Sequence, residues 1–316
     1  LNPPVDLTLA LLQPIVDEEI RQAGVSLYVK RLDAIHPHIQ GNKWFKLKYN
    51  IEHAIQQGHD TLLTFGGAWS NHIYSTAAAG RYYGLKTIGI IRGEKPEMLS
   101  TTLQFAKSCG MQLEFISRLA YEEKETEDFK GWLHVTYGSF HLIPEGGSNF
   151  LGINGCMEIL DSFDKSSFDV ICCAAGTGAT AAGILLSADA SQKVFVFPVF
   201  KDGRFMMDNI RNHLLYFLMD EAAVEEYLKA LTLFPDYGFG GYAKCTSELL
   251  GFIDSTNSKY SLPLDQVYTG KMFFGLLDQI KQKQFPAGTR ILAIHTGGLQ
   301  GLSSVSSLSP GMKQSF

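Results

Sequence analysis

Gly41-Asn42-Lys43-Trp44-Phe45-Lys46-Leu47 places a lysine at the start of a helix with an apolar face. Far downstream, Gly176-Thr177-Gly178-Ala179-Thr180 places a Gly/Thr loop at the start of another. A lysine amine can bond an aldehyde as a Schiff base. Backbone N–H groups at a helix N-terminus, with threonine hydroxyls beside them, can hold a phosphate, and glycine permits close approach. Together these segments suit a lysine-anchored phosphate cofactor, for which pyridoxal 5'-phosphate (PLP) is the candidate.

Lys43 follows the Gly41-Asn42 turn, and Trp44, Phe45 and Leu47 bury the adjoining helix face. A partly desolvated lysine has a lowered pKa and is a better nucleophile and base. Lys46, one helical turn on, is its rival, with Lys48 behind it. The downstream loop is not Gly-x-Gly-x-x-Gly, because its third glycine falls at Gly183. No Gly-Lys-Ser/Thr follows either, which excludes a P-loop. A glycine-rich turn serving only helix–sheet packing is the plainer alternative.

Phe65-Gly66-Gly67-Ala68-Trp69-Ser70-Asn71-His72 is another strand–turn–helix joint. Ser70 or Asn71 could cap the helix. The same N-terminus could receive a substrate carboxylate, with the serine as nucleophile or hydrogen-bond partner. His72 alone reads as a packed or surface histidine. Tyr237-Gly238, Val267-Tyr268-Thr269-Gly270-Lys271 and His295-Thr296-Gly297-Gly298 complete the set, each structural when taken singly.

The elements that must position these residues alternate between strand and helix. Ser26–Arg31 reads as a strand, Trp44–Gln57 as a helix, Thr61–Phe65 as a buried strand and Asn71–Tyr83 as a helix. Thr87–Arg92 and Gln112–Ile116 read as extended around a helical Glu97–Ser108. Tyr121–Lys130 is charge-rich and reads as an exposed helix or loop without a site. Beyond Pro144–Asn149 the pattern resumes: Asn154–Asp161 helical, Asp169–Ala175 a strand, Thr180–Ser187 a helix, Val194–Val199 a strand and Phe205–Met219 a helix. Gly270–Gln282 (helix) and Arg290–His295 (strand) close it. Such alternation predicts α/β architecture with parallel sheets covered by helices, and ligands at the carboxyl ends of the strands. A joint near Pro144–Asn149 divides the chain into a smaller domain, 46–149, and a larger one, 1–45 plus 150–316.

The 316 residues are 45% hydrophobic and 19% charged, enough for two lobes with a sizeable core. A net charge of −5 gives no reason to expect nucleic acid or an anionic membrane as a partner. The longest apolar runs are strand-sized, far short of a membrane span. Leu1-Asn2-Pro3-Pro4 has no signal-peptide character, and the missing initiator Met suggests a start slightly inside the gene product. Five cysteines lack metal-ligand spacing, so no metal is expected, and adjacent Cys172 and Cys173 should face opposite sides of a strand. Reduced thiols in a cytoplasmic protein are the expectation.

Read together and in order, these segments resemble the 1-aminocyclopropane-1-carboxylate (ACC) deaminase / D-cysteine desulfhydrase family, PLP enzymes of the tryptophan synthase β-like fold (PLP fold type II). The resemblance covers about residues 32 to 302. It rests on Gly-Asn-Lys-x-x-Lys-Leu, Gly-Gly-x-x-Ser-Asn-His, Pro-x-Gly-Gly-Ser-Asn, the Gly/Thr loop, Val-Tyr-x-Gly-Lys and His-Thr-Gly-Gly. It implies two open, twisted, mainly parallel sheets covered by helices. By the same resemblance Lys43 is the Schiff-base residue, Asn71 bonds the cofactor ring hydroxyl, and Gly176, Thr177, Gly178, Ala179 and Thr180 hold the phosphate. Ser70, Tyr237 and Tyr268 would face a small amino-acid substrate. Homodimers are usual in the family.

Two departures bear on the substrate. ACC deaminases carry a glutamate after the second tyrosine, placed to keep the pyridine nitrogen protonated; here that residue is Thr269, with Thr296 near the same nitrogen. The family's desulfhydrases carry threonines at both places. Two neutral hydroxyls make the ring a weaker electron sink, which favours loss of a good β-leaving group such as a thiolate. D-cysteine or a related β-substituted D-amino acid is therefore expected, with ACC as the alternative. Trp69 stands where the family usually has glutamine and would reshape the pocket. The rival readings are a PLP-binding protein with little turnover and a nucleotide-binding α/β protein.

Overall fold

A computed structural model describes residues 2–301 of the chain; the end of the expected larger domain lies outside these residues. The strands are β1 (Leu12–Ile15), β2 (Ser26–Lys30), β3 (Thr61–Gly66), β4 (Lys86–Arg92), β5 (Gln112–Ile116), β6 (His141–Ile143), β7 (Val170–Ala175), β8 (Lys193–Pro198), β9 (Leu231–Leu233) and β10 (Arg290–Ile294). They form two sheets. One has the order β1-β2-β10-β7-β8-β9, the other β5-β4-β3-β6. Every pairing is parallel except that of β1 with β2.

The central strands β3 (Thr-Leu-Leu-Thr-Phe-Gly) and β7 (Val-Ile-Cys-Cys-Ala-Ala) are buried along their whole length, as expected where helices cover both faces. Alternate β7 residues serve opposite cores. Ile171 and Cys173 pack towards the helices Asn42–Gln56, Phe150–Met157 and Ala179–Ser187. Val170 and Cys172 pack towards Ser247–Tyr260 and Thr269–Lys281. The two adjacent cysteines thus face opposite sides, and all five are free. Burial pushes the Cys173 thiol up to about 12, so it stays protonated near neutral pH.

The smaller sheet is flanked likewise. Leu63, Phe65, Ile88 and Ile90 meet Tyr121, Leu133 and Phe140 on one side, while Ile91 meets Ile73, Leu103 and Ala106 on the other. The charge-rich stretch Tyr121–Lys130, expected to be an exposed helix or loop, begins in the core: Tyr121 of the helix Arg118–Glu122 is buried, as is Leu133 just beyond the stretch in Glu127–Tyr137. Among the described residues no helix is long and apolar enough to cross a membrane.

The carboxyl ends of β3, β6, β7 and β10 lead into Gly67–Ser70, Pro144–Asn149, Gly176–Gly178 and His295–Gly298. These are the segments with chemical potential. The fold delivers them to one place.

Candidate active site

The site is built around the start of the Asn42–Gln56 helix. Gly41 caps it with φ +58° and ψ −137°, a conformation favouring glycine. A Cβ there would lie 1.9 Å from the Thr296 carbonyl oxygen. That close approach, with the Asn42 N–H donating to Thr296 O at 3.3 Å, presses the end of β10 against the lysine-bearing turn.

Asn42 then makes the decisive link. Its amide Nδ2 donates to Thr180 Oγ1 at 2.8 Å, and its Oδ1 accepts from Lys43 Nζ at 2.7 Å. One side chain connects the amine to the Gly/Thr loop across 138 residues of sequence. Burial, and secondarily the Lys46 ammonium, push the Lys43 amine down to about 7; Cys156 and Asp265 oppose them. Near neutral pH a large fraction is therefore neutral and nucleophilic.

Lys46 does not share this position. Its Nζ donates to the Gly146 carbonyl at 2.9 Å and lies 3.5 Å from Thr177 Oγ1. Ser148 Oγ donates to the same Thr177 hydroxyl at 2.6 Å. His213 Nε2 pairs with the Thr177 carbonyl at 2.9 Å. The 144–149 segment, read from sequence as a joint between lobes, thus packs on the Gly/Thr loop. Gly178, at φ +89°, opens the Ala179–Ser187 helix, whose first N–H groups lack acceptors within the helix and lie at the positive end of its dipole. With a cation beside them, these donors suit a phosphate dianion.

Ser70 caps the Asn71–Tyr83 helix by accepting from the Ile73 N–H at 3.3 Å, which leaves its own proton to donate. Asn71 Oδ1 accepts from Gln300, and its Nδ2 lies 2.6 Å from where a Cβ on Gly298 would sit. His72 is packed: Thr64 gives its hydroxyl proton to the Ile143 carbonyl, so His72 Nε2 must donate to Thr64 Oγ1 at 2.9 Å. Burial, with Lys43 and Lys46 nearby, lowers its pKa well below the usual range.

The tyrosines require a correction. Tyr268 lies against the loop, its ring 3.0 Å from where a Gly176 Cβ would be. Tyr237 does not join it. Its hydroxyl donates to Asp278 Oδ2 and accepts from Gln279, both at 2.6 Å, and its ring packs on Phe197. The hydroxyl that meets Tyr268, at 3.3 Å, is that of Tyr242, which the sequence reading missed. Only its Gly-Gly-Tyr turn could have signalled it.

Thr269 is also differently engaged. Its hydroxyl donates to Asp265 Oδ1 at 2.7 Å and accepts from the Asp265 N–H at 2.9 Å, so its single proton is spent. The Asp265 carboxylate further accepts the Val267, Tyr268 and Thr269 N–H groups, capping the Thr269–Lys281 helix. Thr296 is buried beside the Gly41–Asn42 turn, its hydroxyl without a partner among the described residues. Among those residues no group of three His, Cys, Asp or Glu side chains is placed to hold a metal ion.

A sequence profile described as "Pyridoxal-phosphate dependent enzyme" matches residues 13–297. The chain belongs to that family. Within these PLP-dependent enzymes it is 32% identical to an Arabidopsis thaliana protein named bifunctional D-cysteine desulfhydrase/ACC deaminase, over 88% of this chain and 74% of that one. It is 28% identical to a Serratia proteamaculans D-cysteine desulfhydrase over 88% of each chain. A crystal structure of an ACC deaminase homologue superposes with a TM-score of 0.78 at 29% identity, covering 97% of this chain and 96% of the other. The two-sheet α/β architecture is that of PLP fold type II, and the lysine, loop and cation described above fit this family's cofactor.

Proposed function

We propose that this PLP-dependent enzyme eliminates the β-substituent of a small amino acid, D-cysteine or a related β-substituted D-amino acid, releasing a 2-oxo acid, ammonia and, from cysteine, sulfide. The observation that carries the reading is Asn42, which ties the Lys43 amine to the Gly/Thr loop. Lys43 would anchor the cofactor's aldehyde. Gly176–Thr180 and Lys46 would hold its phosphate, and Asn71 would bond its ring hydroxyl. Bound PLP supplies an electron sink for the carbanion at the substrate Cα.

The chain's own residues do the rest. Lys43 would take the Cα proton; a pKa near neutrality suits it for that task. Ser70 donates to the substrate carboxylate at the helix N-terminus. Tyr268 lies against the loop and its hydroxyl meets that of Tyr242, so this phenol pair would serve the departing group. The Asp265 carboxylate already accepts four hydrogen bonds, one of them from the Thr269 hydroxyl, so Thr296, whose hydroxyl has no partner among the described residues, would be the threonine to meet the cofactor nitrogen. A hydroxyl at that nitrogen favours substrates with a good leaving group over a cyclopropane.

ACC is the second reading, favoured by the relative named for both activities. Offering the yellow protein D- and L-cysteine, β-chloroalanine, D-serine and ACC, with 2-oxo acid measured, tests both. Turnover of ACC alone would overturn the preference. Loss of cofactor absorbance is expected in Lys43→Ala.

The division into domains 46–149 and 1–45 plus 150–316 is supported by the separate sheets they contain. A homodimer is supported by exposed apolar residues on one region, with Phe150 stacked on Phe217 and Tyr216 and Met219 nearby in sequence. A cytoplasmic setting accords with five free cysteines.

A further inference from the structure

Lys271 takes no part in the site above, yet its side chain is 1% exposed. It lies two residues after Thr269 in the Thr269–Lys281 helix. Its ammonium donates to three backbone carbonyls: Val199 at 3.2 Å, Gly238 at 2.8 Å and Gly241 at 2.7 Å. Three donors meet three acceptors, with no carboxylate among them. Burying a cation among neutral dipoles is costly, and an apolar side chain of similar length would fill the same space without that cost.

The carbonyls explain the expense. Two belong to a loop in which Phe239, Gly240, Gly241 and Ala243 all have positive φ, at +48°, +85°, +124° and +56°. Phe239 and Ala243 are not glycines, so this backbone is strained and must be held from outside. Gly238 is pressed so close to the neighbouring segment that a Cβ would lie 1.9 Å from the Phe200 carbonyl oxygen. The third carbonyl, that of Val199, directly precedes Phe200, whose ring packs on Tyr242 with centroids 5.8 Å apart. One ammonium therefore gathers both segments that set Tyr242, and its own helix begins beside Tyr268.

We propose that Lys271 is a positioning residue: a covalently attached monovalent cation that clamps the strained 238–243 loop to the segment after β8 and so holds Tyr242 against Tyr268. Its functional consequence rests on the reading of this pocket as the substrate site of a PLP enzyme. Lys271→Met keeps the bulk and removes the cation. Lys271→Ala leaves a space ringed by carbonyl oxygens that a small cation can enter.

The test uses the holoenzyme. Expected first is at least tenfold faster amide hydrogen exchange in the 238–246 peptide of Lys271→Met, with cofactor absorbance retained. Turnover should fall at least tenfold in both variants. Ammonium or methylammonium chloride should restore Lys271→Ala several-fold, where tetramethylammonium at equal ionic strength does not. Combining Lys271→Met with Tyr242→Phe should cost no more than Tyr242→Phe alone. Unchanged loop exchange in Lys271→Met, or losses that multiply in the double variant, overturns the proposal. A wild-type protein without cofactor absorbance or turnover sinks the functional reading instead, and the exchange measurement still decides the clamp.

Discussion

Gly41 and Thr296 approach so closely that a methyl group on Gly41 would lie 1.9 Å from the Thr296 carbonyl oxygen. This contact joins the lysine turn to the end of β10, at residues 255 positions apart by their numbers (296 − 41). Gly41→Ala must move one segment and also adopt a φ of +58° with a ψ of −137°. The combined cost is on the order of 2 kcal/mol or more. A lower melting temperature and weaker cofactor retention are expected. A variant that binds PLP as tightly as wild type would show that the turn can shift without disturbing Lys43.

The Lys43 amine titrates near 7 because burial and the Lys46 ammonium disfavour its charged form. An unperturbed lysine titrates at about 10.4. Between those values the unfolded chain holds a proton that the folded chain lacks, so this group makes the cofactor-free protein more stable as pH rises from about 7 to about 10. Cofactor capture by the apoprotein should accelerate with a midpoint near pH 7 and then level off. Lys46→Met should move that midpoint upward. Stopped-flow absorbance measures it, and a wild-type midpoint near 10 contradicts the assignment.

Tyr237 and Tyr242 should separate cleanly. Tyr237→Phe loses its bonds to Asp278 and Gln279, a stability cost of about 1–2 kcal/mol, with turnover within about threefold of wild type. Tyr242→Phe should keep stability and lose turnover by on the order of 100-fold. Melting curves and steady-state kinetics on the two variants suffice. The reverse pattern would return Tyr237 to the site.

The strands and helices that carry the site were legible because their periodicity and glycine joints are strong: Asn71–Tyr83 and Gln112–Ile116 have the expected bounds. The edge strands β1, β6 and β9 were not, being three or four residues long with a single buried residue each (Ile15, Ile143 and Leu231), too few to show an alternation. Glu97–Ser108 shortened to Thr101–Ser108 because Ser100 caps it, accepting from the Leu103 N–H. Lys43 stood out through its neighbours. Tyr242, Asp265 and Lys271 stood out less, because their roles are set by tertiary hydrogen bonds that leave no local pattern. Tyr237 failed for the same reason: a Tyr-Gly pair does not say which way the hydroxyl will point.

Thr269 and Thr296 provide the last test, since both were expected at the cofactor nitrogen and only one is free to serve there. The Thr269 hydroxyl is bonded twice to Asp265, at 2.7 and 2.9 Å. Thr269→Val keeps the shape, leaves the buried Asp265 N–H without its acceptor and should cost about 1–3 kcal/mol of stability. Its cofactor absorbance should remain that of wild type. Thr296→Val should show the opposite balance, a small change in melting temperature with an altered cofactor spectrum and reduced turnover. Absorbance and melting curves on both variants decide the matter. If Thr269→Val shifts the spectrum as far as Thr296→Val does, then the Thr269 hydroxyl leaves Asp265 when the cofactor binds, and both threonines share the nitrogen.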